Sequence, residues 1–236
     1  MTELRNEITR MIETDDLPGL LRKTGELHGH HCVGSALGVI AAHKAVKELG
    51  VEEATGMEHV LAIVETNNCF SDGVQVVTGC TFGNNALIYR DYGKTAFTLL
   101  KRSGEGIRIV VRPEAMKLLK NKDPEAEELY RKVVVDRNAT HEEENRMIQL
   151  NKTHCYNILS IPAEKIFKID RVKMESPVDY SKILESRFCE KCGEKVMATK
   201  TTVKEGKVLC ISCASVPYNQ LDWSGIVKID PSNTCE

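Results

Sequence analysis

Residues 27–50 read LHGHHCVGSALGVIAAHKAVKELG, and two signals overlap in them. From Cys32 to Leu49 the stretch predicts a helix, closed by Gly50 just past its end. His43, Lys44, Lys47 and Glu48 share one arc, while Leu37, Ile40, Ala41, Ala45 and Leu49 lie mostly off it, so the helix is expected to be largely buried. Ahead of it, His28, His30, His31 and Cys32 crowd into five consecutive positions. A core helix with a ligand-rich approach to its N-terminus is therefore the first expectation.

Working outward, the N-terminal residues MTELRNEITRMIETDD carry Leu4, Ile8, Met11 and Ile12 on one helical stripe. They lack the apolar core of a signal peptide, and a cytoplasmic location is expected. LPGLLRKTGE reads as a turn-rich approach to the histidines. On the other side, EHVLAIVETN (58–67) is strand-like, and SDGVQVVTG (71–79) fits a short helix ending at Gly79. LIYR and TAFTLLKR flank DYGK, which predicts a hairpin, and GIRIVVRP adds a strand ended by Pro113. Asp123-Pro124 starts a helix, and THEE (140–143) is a capping box opening another toward Asn157. KIFKIDRVKM (165–174) alternates and is expected to return to the sheet. These elements make an α+β fold, a mainly antiparallel sheet packed with helices. The connector ESPVDYSK precedes a change of composition, which divides the chain into a core, 1–178, and a small domain, 179–236.

Composition narrows the class. Of 236 residues, 42% are hydrophobic and 28% charged, as in globular rather than disordered chains. A formal charge of −2 argues against a whole-protein grip on nucleic acid, and no apolar run reaches the ~18 residues of a membrane span. Nine cysteines, an odd number with two close pairs, point to metal or catalysis ahead of disulfides.

The second domain carries Cys189, Cys192, Cys210 and Cys213: C-x2-C, seventeen residues, C-x2-C. Two such knuckles present four thiolates in the tetrahedron that structural zinc takes, with a rubredoxin-like iron site as the lesser reading. Residues flanking Glu205-Gly206 read as the hairpin between the knuckles. Six Lys/Arg against three Glu over 187–207, without interleaved aromatics, fall short of a nucleic-acid footprint. Cys235 is given no role.

HGHHC has two geometries. Extended, it puts His28 and His30 on one side; helical, it puts His28 and Cys32 at i, i+4. Imidazole and thiolate both suit zinc or iron, and a helix N-terminus favours the thiolate of Cys32, so metal ligand and nucleophile are both open to it. His31 projects the other way and is read as a bystander, and His43 and His59 as structural. NNCFSDGVQVVTGCTFGNNAL adds Cys69, Asp72, Gln75 and Cys80 as a second group, with Cys69 and Cys80 divided between pocket lining and plain burial. His154-Cys155 is a minor candidate pair.

HGHHCVGSALG followed by CFSDGVQVVTGCTFGNNAL resembles the family of proteins like the E component of formylmethanofuran dehydrogenase, over roughly residues 15–115. The resemblance implies an α+β core with an appended treble-clef finger. It carries the family pattern onto His28, His30 and Cys32, then Cys69, Asp72, Gln75 and Cys80. Val33 stands where the family has Pro, and Gly73 where it has Ala, which is expected to loosen the short helix. The resemblance also implies a metal-binding protein of anaerobic one-carbon, methanogenesis-type metabolism, and a homodimer.

The expected site combines His28, His30 and Cys69 as ligands of a second metal, zinc or iron, with Cys32, Asp72 and Gln75 in catalysis. A metal-dependent enzyme or accessory protein acting on a small one-carbon or carbonyl substrate, beside a partner enzyme, is the leading expectation. A metal-sensing or interaction module is the rival.

Overall fold

A computed structural model describes residues 3–51, 59–175 and 179–233. The chain divides into two compact units, Met1–Val178 and Asp179–Glu236, each with its own apolar cluster. Glu58, the first residue of the expected strand, and Cys235 lie outside the described residues.

The first unit opens with helices α1 (Asn6–Glu13), α2 (Leu17–His28) and α3 (Val33–Leu49). Strand β1 (Val60–Val64), helix α4 (Cys69–Thr78) and strands β2 (Leu87–Tyr89), β3 (Ala96–Lys101) and β4 (Glu105–Val111) follow. Short helices α5 (Met116–Leu119) and α6 (Pro124–Tyr130) and a π turn (Arg131–Val135) lead to α7 (His141–Ile158). Helix α8 (Ala163–Ile166) then runs directly into β5 (Phe167–Lys173).

The sheet order is β2-β1-β3-β4-β5, antiparallel except for the β1–β2 pair. The α+β, mainly antiparallel reading holds, and residues 167–173 do return to the sheet. The hairpin expected around DYGK does not form. Residues 87–89 lie parallel to β1, whose far side pairs with β3, so β1 separates the two strands that a local reading joined. Local sequence sets a turn, but it does not say which strand fills the neighbouring slot.

LPGLLRKTGE is helix rather than turn. Pro18 and Gly19 fall in the first turn of α2, where backbone N–H groups have no intrahelical acceptor, and the Asp16 carboxylate accepts from Gly19 N at 2.9 Å. His28 is thus the last residue of a helix that ends on left-handed Gly29, φ +86°. Thr140 and Glu143 cap α7 reciprocally, as their spacing predicted.

One face of the sheet, carrying Phe97, Leu99, Ile107 and Ile109, packs under α3 and α4, and Phe70 meets the Phe97 ring at 6.1 Å. α3 is buried almost throughout. It crosses α4 without side chains between the backbones: a Cβ on Gly38 would stand 2.1 Å from the Phe70 carbonyl oxygen, and one on Gly73 would stand 2.6 Å from both Ser35 O and Val39 N. Gly73 therefore does not loosen the short helix; it admits the neighbouring backbone. Below the crossing, Arg5 Nη2 donates to the Val76 and Val77 carbonyls at the far end of α4. At the edge of the core, Glu65, 5% exposed, is held by both Nε and Nη2 of Arg108 at 2.7 Å.

In the second unit, β6 (Ser186–Phe188) pairs with β7 (Lys195–Met197), and β8 (Thr201–Lys204) pairs with β9 (Lys207–Cys210). The second hairpin turns at Glu205-Gly206, both at positive φ, as expected. Helix α9 (Ile211–Ala214) follows directly, and a last hairpin, β10 (Tyr218–Asp222) with β11 (Gly225–Ile229), was not foreseen.

Gly73→Ala is expected to destabilise the first unit by about 1–3 kcal/mol, the usual cost of overpacking a close contact. Urea unfolding followed by far-UV circular dichroism checks this; an unchanged midpoint would show that the crossing can open to admit a methyl.

Candidate metal centre

Three chain segments meet where α3 and α4 converge. His28 closes α2, Gly29 turns the chain, and Cys32 becomes the N-cap of α3, so the stretch is neither continuously extended nor continuously helical. Neither expected geometry holds as such; the corner nevertheless brings His28, His30 and Cys32 together. One ligand atom from each lies within 4.8 Å of the others, and the His28 and His30 rings are 4.4 Å apart.

The imidazole of His28 is aimed by Asp72. Nδ1 lies 2.7 Å from Asp72 Oδ2, leaving Nε2 3.7 Å from Cys32 Sγ. Two ligands on one tetrahedral zinc, with Zn–N near 2.0–2.1 Å and Zn–S near 2.3 Å, stand about 3.6 Å apart. A carboxylate behind a ligating histidine fixes its tautomer and raises its basicity. Gln75 Nε2 donates to the other Asp72 oxygen at 3.0 Å, so the carboxylate is fixed in turn. Both side chains sit on α4, whose N-cap Asn68 accepts from Phe70 N and whose first turn favours an acid at Asp72.

Cys32 occupies a capping box in which sulfur replaces the usual oxygen. Its Sγ accepts from Ser35 N at 3.4 Å, and Ser35 Oγ bonds both the Cys32 backbone N–H and carbonyl. The Cys69 thiol hydrogen-bonds to the same sulfur. That bond, with the Ser35 donors and the nearby His28, brings the Cys32 thiol down to about 5. Cys69 is pushed up by the same bond and by burial. Its sulfur is not among the three donors that fall within 4.8 Å.

The remaining candidates go elsewhere. His31 packs its ring 5.6 Å from Tyr156 and against Gly25, away from the three donors. Cys80, 1% exposed, points its sulfur at the Val60 carbonyl at the other end of α4, and burial pushes its thiol up. It is a small apolar residue of the core, not part of the pocket. His154 reaches the Leu119 carbonyl at 2.9 Å, and His43 the Ile12 carbonyl and Asp15. Cys155 is fully buried, and its thiol is pushed up to about 12 by burial and by the Cys32 charge, which places it near Cys32. Sequence reading missed Ser35; its position three residues after Cys32 is the capping-box spacing, obscured by a cysteine at the N-cap.

In the second unit, Cys189, Cys192, Cys210 and Cys213 also bring their sulfurs within 4.8 Å of one another. Cys210 N donates to Cys189 Sγ and Cys213 N to Cys210 Sγ, each at 3.3 Å, the amide support that knuckle thiolates need. Backbone N–H groups of Cys192 and Cys210 bring the Cys189 thiol down to about 6. Cys210 and Cys213 stand at the start of α9, so this pair is carried by a helix following a hairpin. Four soft donors in this arrangement fit structural zinc.

A pocket of His and Cys donors on an α+β core, followed by a four-cysteine finger, defines a metal-binding class of protein. The family model described as "FmdE, Molybdenum formylmethanofuran dehydrogenase operon" matches residues 27–168, and the chain belongs to this family. A second model, "Prokaryotic dksA/traR C4-type zinc finger", matches residues 182–219. The chain is 44% identical over 218 residues, 91% of its length, to an Archaeoglobus fulgidus protein named "Probable S-adenosyl-L-methionine-binding protein", and spans 57% of that relative. It is similar in fold to a crystal structure of a tungsten formylmethanofuran dehydrogenase FmdE-like protein from Syntrophus aciditrophicus. The TM-score is 0.56 at 24% identity, covering 84% of this chain and 91% of that one. No helix among the described residues is long and apolar enough to cross a membrane.

In metal-free protein, the alkylation rate of Cys32 is expected to stay level from pH 9 down to about 6 and to fall as pH drops through about 5, because the thiolate is the nucleophile. Iodoacetamide kinetics with peptide mapping check this; a half-rate near pH 8.5, the ordinary thiol value, would contradict it.

Proposed function

We propose that the pocket between α3 and α4 binds a reactive metal ion, zinc or iron, through His28, His30 and Cys32. Cys69 stands beside the remaining position, and Asp72 and Gln75 orient the ligands. The observation that carries this reading is the Asp72–His28–Cys32 alignment: one imidazole nitrogen held by a carboxylate at 2.7 Å, the other facing a thiolate at 3.7 Å. Three protein donors with a further position open is the pattern of catalytic rather than structural zinc sites. When bound, such an ion supplies Lewis-acid polarisation of a carbonyl oxygen.

Around it the chain's own residues do the rest. Asp72 holds His28 in one tautomer, Ser35 holds the Cys32 sulfur in place, and half-buried Gln75 fixes the second oxygen of Asp72. The substrate class that suits this pocket is a small one-carbon or carbonyl compound, in line with membership of the formylmethanofuran dehydrogenase operon family. The cytoplasm is the compartment in which such free thiols persist.

A second reading rests on the Archaeoglobus fulgidus relative, whose name points to S-adenosyl-L-methionine. Under it, the pocket serves a nucleoside ligand and the cysteines are secondary. Elemental analysis of anaerobically purified protein separates the two. The metal reading predicts two ions per chain, falling to one in His28→Ala. One ion per chain in both proteins, with calorimetric binding of S-adenosyl-L-methionine, would overturn it in favour of the second.

A further inference from the structure

Cys32 and Cys69 stand near each other, and of the two only Cys32 is among the grouped ligand atoms. Each stands at a helix N-terminus, Cys32 as the N-cap of α3 and Cys69 as the first residue of α4. The two helix starts are held together by the glycine crossing, so close that a Cβ on Gly34 would lie 3.0 Å from the Cys69 Cβ. The two side chains are close enough to interact, and both cysteines are partly exposed, whereas Cys80 and Cys155 are buried. Cys69 nonetheless falls outside the trio of ligand atoms. Two partly exposed thiols side by side on rigid helix ends are the elements of a redox pair.

We propose that Cys32 and Cys69 form a reversible dithiol–disulfide couple whose oxidant is a low-molecular-weight organic disulfide. The Cys32 thiolate attacks one sulfur of RSSR, forming a mixed disulfide and releasing RS⁻. Cys69 gives its proton to that RS⁻, and its thiolate attacks the Cys32 sulfur. The protein disulfide forms, the second RS⁻ leaves, and two electrons have passed to the organic disulfide. The couple itself does not depend on the core metal. Its consequence does: if the pocket holds an ion, a Cys32 sulfur in a disulfide is no longer a thiolate ligand, so oxidation and metal retention exclude each other.

The test uses the full chain with its finger zinc retained and the core cleared by a weak chelator under anaerobic conditions. The protein is equilibrated across ratios of reduced to oxidised glutathione, quenched in acid, alkylated, digested and mapped by mass spectrometry. A linked peptide pair joining Cys32 to Cys69 is expected to grow with the oxidised fraction and to disappear with dithiothreitol. Cys69→Ser should stall instead as a glutathione adduct on Cys32. A wild-type protein in which both cysteines stay alkylatable, or in which the Cys32 adduct accumulates, overturns the couple. One added equivalent of zinc should slow disulfide formation at least tenfold. A disulfide that forms equally fast with zinc present supports the couple and counts against the core metal instead.

Discussion

Where α3 crosses α4 there is no volume for a side chain. A methyl on Gly38 would meet the Phe70 carbonyl at 2.1 Å, and one on Gly73 would meet two backbone atoms of α3 at 2.6 Å. Interiors are packed too densely to absorb such intrusions without moving backbone. The contact fixes the axial position of one helix on the other, and with it the separation of Cys32, the N-cap of α3, from Cys69, the first residue of α4. The sheet below contributes by giving both helices one apolar surface, with Phe97, Leu99, Ile107 and Ile109 fully buried beneath them.

The pocket's chemistry follows from that placement. α4 carries Asp72 one turn after Cys69, and α2 ends at His28, so the carboxylate and the imidazole meet at 2.7 Å. The second imidazole nitrogen is then committed to the pocket, opposite a sulfur that accepts an amide and a thiol hydrogen. His28 has one ring nitrogen fixed by Asp72 and the other directed into the pocket. A site built on helix ends keeps this geometry better than one built on loops.

Much of this is written in local sequence, and some is not. The four finger cysteines announce themselves by spacing, since each C-x2-C pair is a local turn. His28, His30 and Cys32 are legible as a group for the same reason, and Thr140 with Glu143 marks its helix start. The order of strands is not local: residues 87–89 carry no sign that β1 will lie between them and β3. α2 was obscured by Pro18-Gly19, which reads as a turn unless Asp16 is recognised as the cap. The role of Gly73 depends on Ser35 and Val39, far away in sequence, and the separation of Cys80 from the pocket depends on the length of α4. Cys155 comes near Cys32 only because α7 packs back on α3.

On the proposed reading, the glycine-packed crossing builds a second metal site in addition to the finger. Anomalous X-ray diffraction at a metal absorption edge, from crystals grown anaerobically with zinc or iron, reads it directly. Two anomalous peaks per chain are predicted, one amid the sulfurs of Cys189, Cys192, Cys210 and Cys213, and one bonded to His28 Nε2 and Cys32 Sγ. A single peak in the finger, with His28 still bound to Asp72 and nothing between it and Cys32, would contradict the account.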